Sequence, residues 1–345
     1  MTETAQSIIL TARPSGSPTP DNFRLVEHPV PEPAEGQFLV RVLWLSLDPY
    51  MRALMEAPTP YAPAVEVGGP MIGGAVGVVV ASRHPGYAPG DHVTGFFGWT
   101  THAVSDGSDA RRIDPEAAPL AAHLGVLGLP GHTAWISLNR IAAAQPGETI
   151  LISAASGAVG SVLGQLAKVR GLTTIGMAGG AEKCAHATEE LGYEACIDYR
   201  AAPDAAALTA AIAAAAPQGI DIYHDNTGGK PLLAALPVLK DHARIALCGF
   251  IAWYDEEKWD RDTMPLAAMW ASILFKRLVV RGFLVTDHAD SFEAFLDEVG
   301  PLVAEGRVQL RETVADGLAS APEAFLSLFR GGNQGKQLVR VATST

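Results

Sequence analysis

The run Ala154-Ala155-Ser156-Gly157-Ala158-Val159-Gly160 lies between an apolar segment, Thr149–Ser153, and a helical one, Val159–Arg170. Small residues at this spacing let backbone approach a pyrophosphate closely. A helix that starts there offers the anion unpaired N–H groups and the positive end of its dipole. Gly157, Ala158, Val159 and Gly160 are therefore candidate phosphate contacts, with Gly160 also allowing close helix–strand packing. Ala154 takes the place of the first glycine of GxGxxG, giving the AxxGxxG variant. Small residues also serve tight turns that hold no ligand, so the position between a strand and a helix carries the functional reading.

The next strand, Thr173–Gly176, discriminates between dinucleotides. An NAD site commonly ends this strand in an acid that binds the ribose 2′-hydroxyl. Here it runs into Met177-Ala178-Gly179-Gly180-Ala181-Glu182-Lys183, with no acid about 20 residues past the turn. Gly179 leaves room for a 2′-phosphate, Lys183 can bring positive charge to it, and Tyr199 can donate a hydroxyl. The pattern favours NADPH over NADH. A solvated lysine in a first helical turn is the plain alternative for Lys183, with Glu182 beside it offsetting its field.

Metal and nucleophile chemistry find little support. Three cysteines, Cys184, Cys196 and Cys248, form no CxxC pair, and the ten histidines include no HxH or HxxxH. Cys248 reads as a small buried hydrophobe and His224 as a structural histidine. Tyr254 precedes Asp255-Glu256-Glu257-Lys258 and, by composition, is a surface tyrosine of a polar loop.

The elements that must position these groups fall into two kinds. The first third is β-rich, with Val- and Leu-dense runs at Gln37–Leu45 and Ala75–Ala81 and a Pro89-Gly90-Asp91 turn before His92–Phe97, the pattern of a small irregular barrel. From about Gly125, strands at Glu148–Ser153, Thr173–Gly176, Ala195–Asp198, Asp221–His224 and Arg244–Cys248 alternate with helices at Val159–Arg170, Glu182–Leu191 and Asp204–Ala216. Such βαβ alternation indicates a doubly wound parallel sheet. A helix over Ser291–Glu305 and a closing strand, Gly335–Val341, return the chain to the first kind of structure. The expected division is 1–125 with 307–345, and 126–306. The apolar run Leu278–Val285 is expected to pair with its own copy in a homodimer.

A net charge of -12 argues against nucleic-acid binding. Met1–Arg13 has no signal-peptide pattern and apolar runs stay short of a membrane span, so a cytoplasmic protein is expected.

Several motifs occur together and in order: Leu47-Asp48-Pro49-Tyr50-Met51-Arg52, the AxxGxxG turn, Asp225-Asn226-Thr227-Gly228-Gly229, Cys248-Gly249-Phe250-Ile251-Ala252-Trp253-Tyr254 and Gly331-Gly332-Asn333-Gln334-Gly335-Lys336. Over almost its whole length the chain resembles the zinc-independent prostaglandin reductase/leukotriene B4 dehydrogenase-like branch of the medium-chain dehydrogenases/reductases, which includes curcumin and alkenal double-bond reductases. The resemblance implies a GroES-like β-rich catalytic domain formed by both termini and an inserted Rossmann domain. It implies NADPH-dependent reduction of the carbon–carbon double bond of a small hydrophobic enone or enal.

Carried over by position, Lys183, Tyr199 and Asn333 surround the 2′-phosphate and nearby cofactor phosphate, and Asn226 contacts the cofactor. Cys248, Gly249 and Ile251, with Phe283, Leu284 and Val285, line the nicotinamide side. Tyr254 becomes the catalytic donor to the carbonyl oxygen, and Tyr50 and Met51 face substrate, although packing explains those two equally well. Trp253, Trp259 and Trp270 suit an apolar pocket or plain packing. Two departures stand out. One acid is missing from the family's run before Lys183, and Thr286-Asp287-His288 lacks the aromatics some relatives carry. In place of the zinc enzymes' Gly-His-Glu segment stands Met71-Ile72-Gly73-Gly74-Ala75, so no metal is expected. A quinone reductase and an idle NADPH-binding sensor remain the competing readings.

Overall fold

A computed structural model describes residues 4–59, 62–254, 266–309 and 311–343. The chain separates into two units, 1–128 with 311–345, and 129–310. The junctions expected from sequence were 125/126 and 306/307.

The first unit opens with β1 (Thr4–Leu10), β2 (Phe23–Pro29) and β3 (Phe38–Ser46), followed by the single turn α1 (Met51–Leu54). Then come β4 (Ala75–Ser82), β5 (His92–Gly95), β6 (His102–Ser105) and β7 (Arg111–Arg112). The second unit contains α2 (Leu129–Ile136), β8 (Thr149–Ser153), α3 (Ala158–Val169), β9 (Thr173–Ala178), α4 (Ala181–Glu189), β10 (Ala195–Asp198), α5 (Ala205–Ala215) and β11 (Ile220–Asp225). It continues through α6 (Gly229–Ala235), β12 (Leu239–Leu247), α7 (Leu266–Lys276), β13 (Val279–Gly282) and α8 (Phe292–Ala304). The chain returns to the first unit with β14 (Glu312–Asp316), α9 (Ala321–Phe329) and β15 (Lys336–Arg340).

In the first unit β1 and β2 form an antiparallel pair, while the remaining strands make one sheet in the order β14-β15-β3-β4-β5-β7, with β6 on β3. The inward residues of β3, among them Phe38, Val40, Val42 and Leu45, meet Trp99, Phe325 and Met51 in one apolar core. Both chain ends are needed to build it, because β15 supplies the neighbour of β3.

The second unit is a six-stranded sheet in the order β10-β9-β8-β11-β12-β13, parallel throughout. The order reverses direction between β8 and β11, the switch point at which such sheets open a crevice beyond their carboxyl ends. Ile150, Leu151 and Ile152 in β8 are fully buried, as a strand covered on both faces requires. Residues 278–285 are not one long strand: pairing with β12 stops at Gly282, and Val285–Ser291 turns into a short 3-10 segment. No helix among the described residues is long and apolar enough to cross a membrane.

Candidate functional site

Parallel strands end on one edge of their sheet, and the motifs of the second unit collect along that edge. β8 ends at Ser153 and the chain turns through Ala154, which has φ 49°, into α3. Gly157 caps α3 with extended backbone, and the first helical bond runs from Ser161 N–H to Gly157 O at 2.9 Å. The amides of Ala158, Val159 and Gly160 thus have no intrahelical acceptor and point out of the helix end. A Cβ on Gly160 would lie 2.3 Å from Ala154 O and 2.9 Å from Ala155 Cα. Only glycine permits helix and turn to approach this closely.

The ends of β9 and β10 form a cationic wall beside this turn. A Cβ on Gly179 would meet Arg200 Nε at 2.9 Å and the Tyr199 hydroxyl at 3.1 Å. Lys183, half-buried in the first turn of α4, has its pKa lowered by burial and next by the nearby Arg200 guanidinium. Asp198 is occupied with backbone: its Oδ1 accepts from the Gly180 N–H at 2.8 Å and the Arg200 N–H at 2.9 Å. Arg200 was not singled out from the sequence. An exposed arginine after Asp-Tyr reads as an ordinary surface turn, and only the sheet order, which sets β10 against β9, brings it to Gly179 and Lys183.

At the switch point, Asp225 organises the turn after β11. Its Oδ1 accepts from Tyr223 OH (2.9 Å), Ser153 Oγ (3.1 Å) and the N–H groups of Thr227 and Gly228 (2.9 Å each). Burial raises its pKa against those bonds. Asn226 is fixed just as firmly. Its Nδ2 donates to Ser153 O at 2.7 Å, and its Oδ1 lies 3.1 Å from His224 Nε2. His224 Nδ1 is 2.7 Å from Ser137 Oγ, and complete burial lowers the ring's pKa to about 4, so it stays neutral.

The segment after β12 is seated on this turn. Cys248 and Gly249 N–H donate to Asp225 O at 2.9 and 3.0 Å, and Ala252 N–H donates to Thr227 O at 3.0 Å. Gly228, at φ 66°, leaves space for the Trp253 ring, which a Cβ there would meet at 2.2 Å. Trp253 is therefore spent on packing. Ile251 lies in the short 3-10 turn that ends at Tyr254, whose ring sits edge-on to Phe250 with centroids 4.9 Å apart. Burial pushes the Cys248 thiol up to about 12, which removes it as a nucleophile. Phe283, Leu284 and Val285 are half-buried beyond β13. Trp259 lies outside the described residues.

In the first unit, Lys336 is almost completely buried and donates to Leu47 O (2.8 Å) and Asp48 Oδ1 (3.0 Å), tying down the loop that bears Tyr50. Asn333 Nδ2 donates to Gly335 O at 2.8 Å. Tyr50 is half-buried, but Met51 is fully buried in the core, with its Cε 3.0 Å from where a Gly73 Cβ would be. The expectation that Met51 faces substrate is corrected: a side chain with no exposure packs the loop.

Two family models match the chain, one described as the N-terminal domain of oxidoreductase over residues 6–113 and one as zinc-binding dehydrogenase over residues 158–300. The NADPH-dependent curcumin reductase of Escherichia coli (strain K12) is 43% identical over 335 residues, 97% of this chain and 96% of that protein. Prostaglandin reductase 1 of Mus musculus is 35% identical over 340 residues, covering 97% and 99%.

The chain belongs to the medium-chain dehydrogenase/reductase family, in its zinc-independent branch.

It is an oxidoreductase. CurA from Vibrio vulnificus, solved in complex with NADPH, superposes with a TM-score of 0.92 at 37% identity, covering 98% of this chain and 99% of that one. The zinc in the second family model's description finds no donor set here: among the described residues no three His, Cys, Asp or Glu side chains gather to hold a metal.

Proposed function

We propose that this chain reduces the carbon–carbon double bond of α,β-unsaturated ketones or aldehydes with NADPH. The observation that carries the cofactor reading is the wall of Lys183, Tyr199 and Arg200 at Gly179, beside a helix end whose free amides suit a pyrophosphate. Two cations at the position where an NAD site carries an acid fit a 2′-phosphate. Asn226, Cys248, Gly249, Ile251 and the Phe283–Val285 segment are assigned to the cofactor's nicotinamide half, and Asn333 to its phosphates. The second unit is then the cofactor domain, and the first is the GroES-like catalytic domain, contributing Tyr50 on the substrate side.

Bound NADPH supplies the hydride, which goes to the β-carbon of the substrate. The protein's task is to orient that carbon and to stabilise the oxygen on which negative charge develops. Tyr254 is the assigned donor. A phenol is neutral at pH 7, and its hydrogen bond strengthens as the carbonyl becomes an enolate. The names of the curcumin and prostaglandin reductases, and of the 2-alkenal reductase of Nicotiana tabacum, 37% identical over 315 residues, support this substrate class.

The test is oxidation of NADPH, then NADH, by simple enones, enals and quinones, followed through the absorbance of the reduced nicotinamide. Tyr254→Phe is expected to lower kcat on an enone by about 10²-fold or more, the usual worth of a positioned acid or oxyanion donor. Turnover of quinones alone, unaffected by that substitution, would replace this reading with a quinone reductase. NADPH binding without turnover on any of the three would make the protein a sensor.

The reading extends to a cytoplasmic homodimer. β13 is the outer strand of its sheet, its four residues are all exposed, and Trp270, Leu274 and Phe275 of the preceding α7 are 62–72% exposed. An open apolar edge of this kind invites a second copy of itself.

A further inference from the structure

We propose that Cys184 and Cys196 form a reversible disulfide, an oxidation site set into the wall that holds the cofactor's 2′-phosphate. Cys184 directly follows Lys183 in the first turn of α4, and Cys196 lies in β10, three residues before Tyr199 and four before Arg200. Cys196 pairs in parallel register with Gly176 of β9, and a Cβ on that glycine would come within 3.2 Å of the Cys196 sulfur. The same Cβ would touch Tyr193, whose hydroxyl donates to Gly160 O of α3 at 2.7 Å. The Cys196 sulfur therefore faces the helical layer containing α3 and α4, and α4 packs on β10 with the Cys184 thiol as the neighbour of that sulfur. Both thiols are half-buried, within reach of small oxidants.

The pair is chemically unequal. The neighbouring Cys196 thiol and the Ala178 backbone lower the pKa of Cys184, while the Cys184 thiol and burial raise that of Cys196. Cys184, whose place in the N-terminal turn of α4 favours a thiolate, is the attacking sulfur and Cys196 the resolving one. With a hydroperoxide as oxidant, the Cys184 thiolate takes the terminal oxygen as the O–O bond breaks. The departing alkoxide is protonated to the alcohol, leaving a sulfenic acid at Cys184. The Cys196 sulfur then attacks that sulfur, an S–S bond replaces the S–O bond, and water leaves with the Cys196 proton. A dithiol reverses the step by thiol–disulfide exchange.

Closing the two neighbouring sulfurs to a covalent bond of about 2.05 Å draws the first turn of α4 toward β10. Lys183, Tyr199 and Arg200 ride on those two segments, so the oxidised protein holds the 2′-phosphate less well. This consequence rests on the cofactor reading above, whereas disulfide formation does not.

The test treats reduced, full-length protein with hydrogen peroxide, maps its peptides by mass, and measures KM and kcat before oxidation, after it, and after a dithiol. Expected are a linked Cys184–Cys196 peptide with two hydrogens lost, a KM for NADPH raised by about tenfold with kcat little changed, and recovery with the dithiol. Cys184→Ser and Cys196→Ser should each abolish the linkage, and Cys248→Ser should retain it. Over-oxidised Cys184 with Cys196 left free, or a linkage that leaves KM unmoved, would overturn the proposal. Reduced protein showing no preference for NADPH over NADH would instead sink the cofactor reading, with the linkage still readable by mass.

Discussion

Single residues in the nucleotide turn carry opposite backbone demands, and each can be tested alone. Ala154 has φ 49°, a region that costs an L-residue about 1–2 kcal/mol and glycine nothing comparable. Ala154→Gly should therefore raise stability by about 0.5–1 kcal/mol in urea unfolding, once glycine's greater unfolded-state entropy is deducted. Gly160→Ala should do the reverse. Its Cβ would meet the backbone of Ala154 and Ala155, which cannot swing aside as a side chain can. We expect it to lose about 1–3 kcal/mol of stability and to weaken cofactor binding with it. The cationic wall gives a third expectation. Lys183→Ala and Arg200→Ala should each cut the NADPH-over-NADH preference in kcat/KM by about tenfold or more, since a hydrogen bond to a charged group contributes about 1.5–3 kcal/mol. An unchanged preference in Arg200→Ala would return that side chain to the surface role its sequence context suggested. Lys183 was visible from the sequence because no acid stands at the end of β9, where an NAD site carries one. Arg200 was not, because its place depends on which strands are neighbours.

Elements were legible wherever their apolar period is unbroken. β10 has the bounds read from sequence, and β8, β9, α3 and α5 differ from theirs by one or two residues at an end. The failures have local causes. β12 begins at Leu239 rather than Arg244, because the polar Lys240-Asp241-His242 stretch hides the strand; pairing with β11 skips there, and His242 takes φ 64°. The run 278–285 looked like one strand because hydrophobicity continues past Gly282, although pairing does not. Met51 looked like a site residue because its motif neighbour Tyr50 does, and nothing in local spacing reveals that the side chain turns into the core. The edge strand carries the prediction at this scale. Val280→Lys places a charge in the middle of the exposed β13, and charged edges resist strand-to-strand pairing. Sedimentation should show wild type as a dimer and the variant shifted to monomer, while wild type running as a monomer would remove the homodimer from the reading.

For the molecule as a whole, buried histidines set its tolerance to acid. His132 and His224 are 3% and 0% exposed, and burial lowers each pKa from 6.5 to about 4; His123 in the first unit shifts the same way. A histidine whose folded pKa is depressed binds its proton more readily when the chain is unfolded. Its neutral form favours the fold fully above about pH 6.5, and that contribution drains away as pH falls toward 4. Each such proton steepens the loss by up to about 1.4 kcal/mol per pH unit. Asp225 works in the other direction, because its raised pKa lets the folded state take up a proton before the unfolded one does. Burial raises Glu312 in the same way, but two such carboxyls stand against three imidazoles and the lowered carboxyls of Asp91, Asp106 and Asp290, so the acid limb still falls. Unfolding in urea at steps between pH 7.5 and 4.5 should show stability level above about pH 6.5 and declining below it. His132→Phe isolates one of the protons. The ring lies among Phe292, Phe295 and Trp135, which accept an aromatic replacement, but the contact of His132 Nε2 with Ser291 Oγ at 2.9 Å is lost. At pH 7.5 the variant should therefore be less stable than wild type by about 1 kcal/mol. Its decline in acid should be shallower by one proton, so the two curves converge or cross near pH 5; parallel curves would mean that His132 takes up its proton alike in the folded and the unfolded chain.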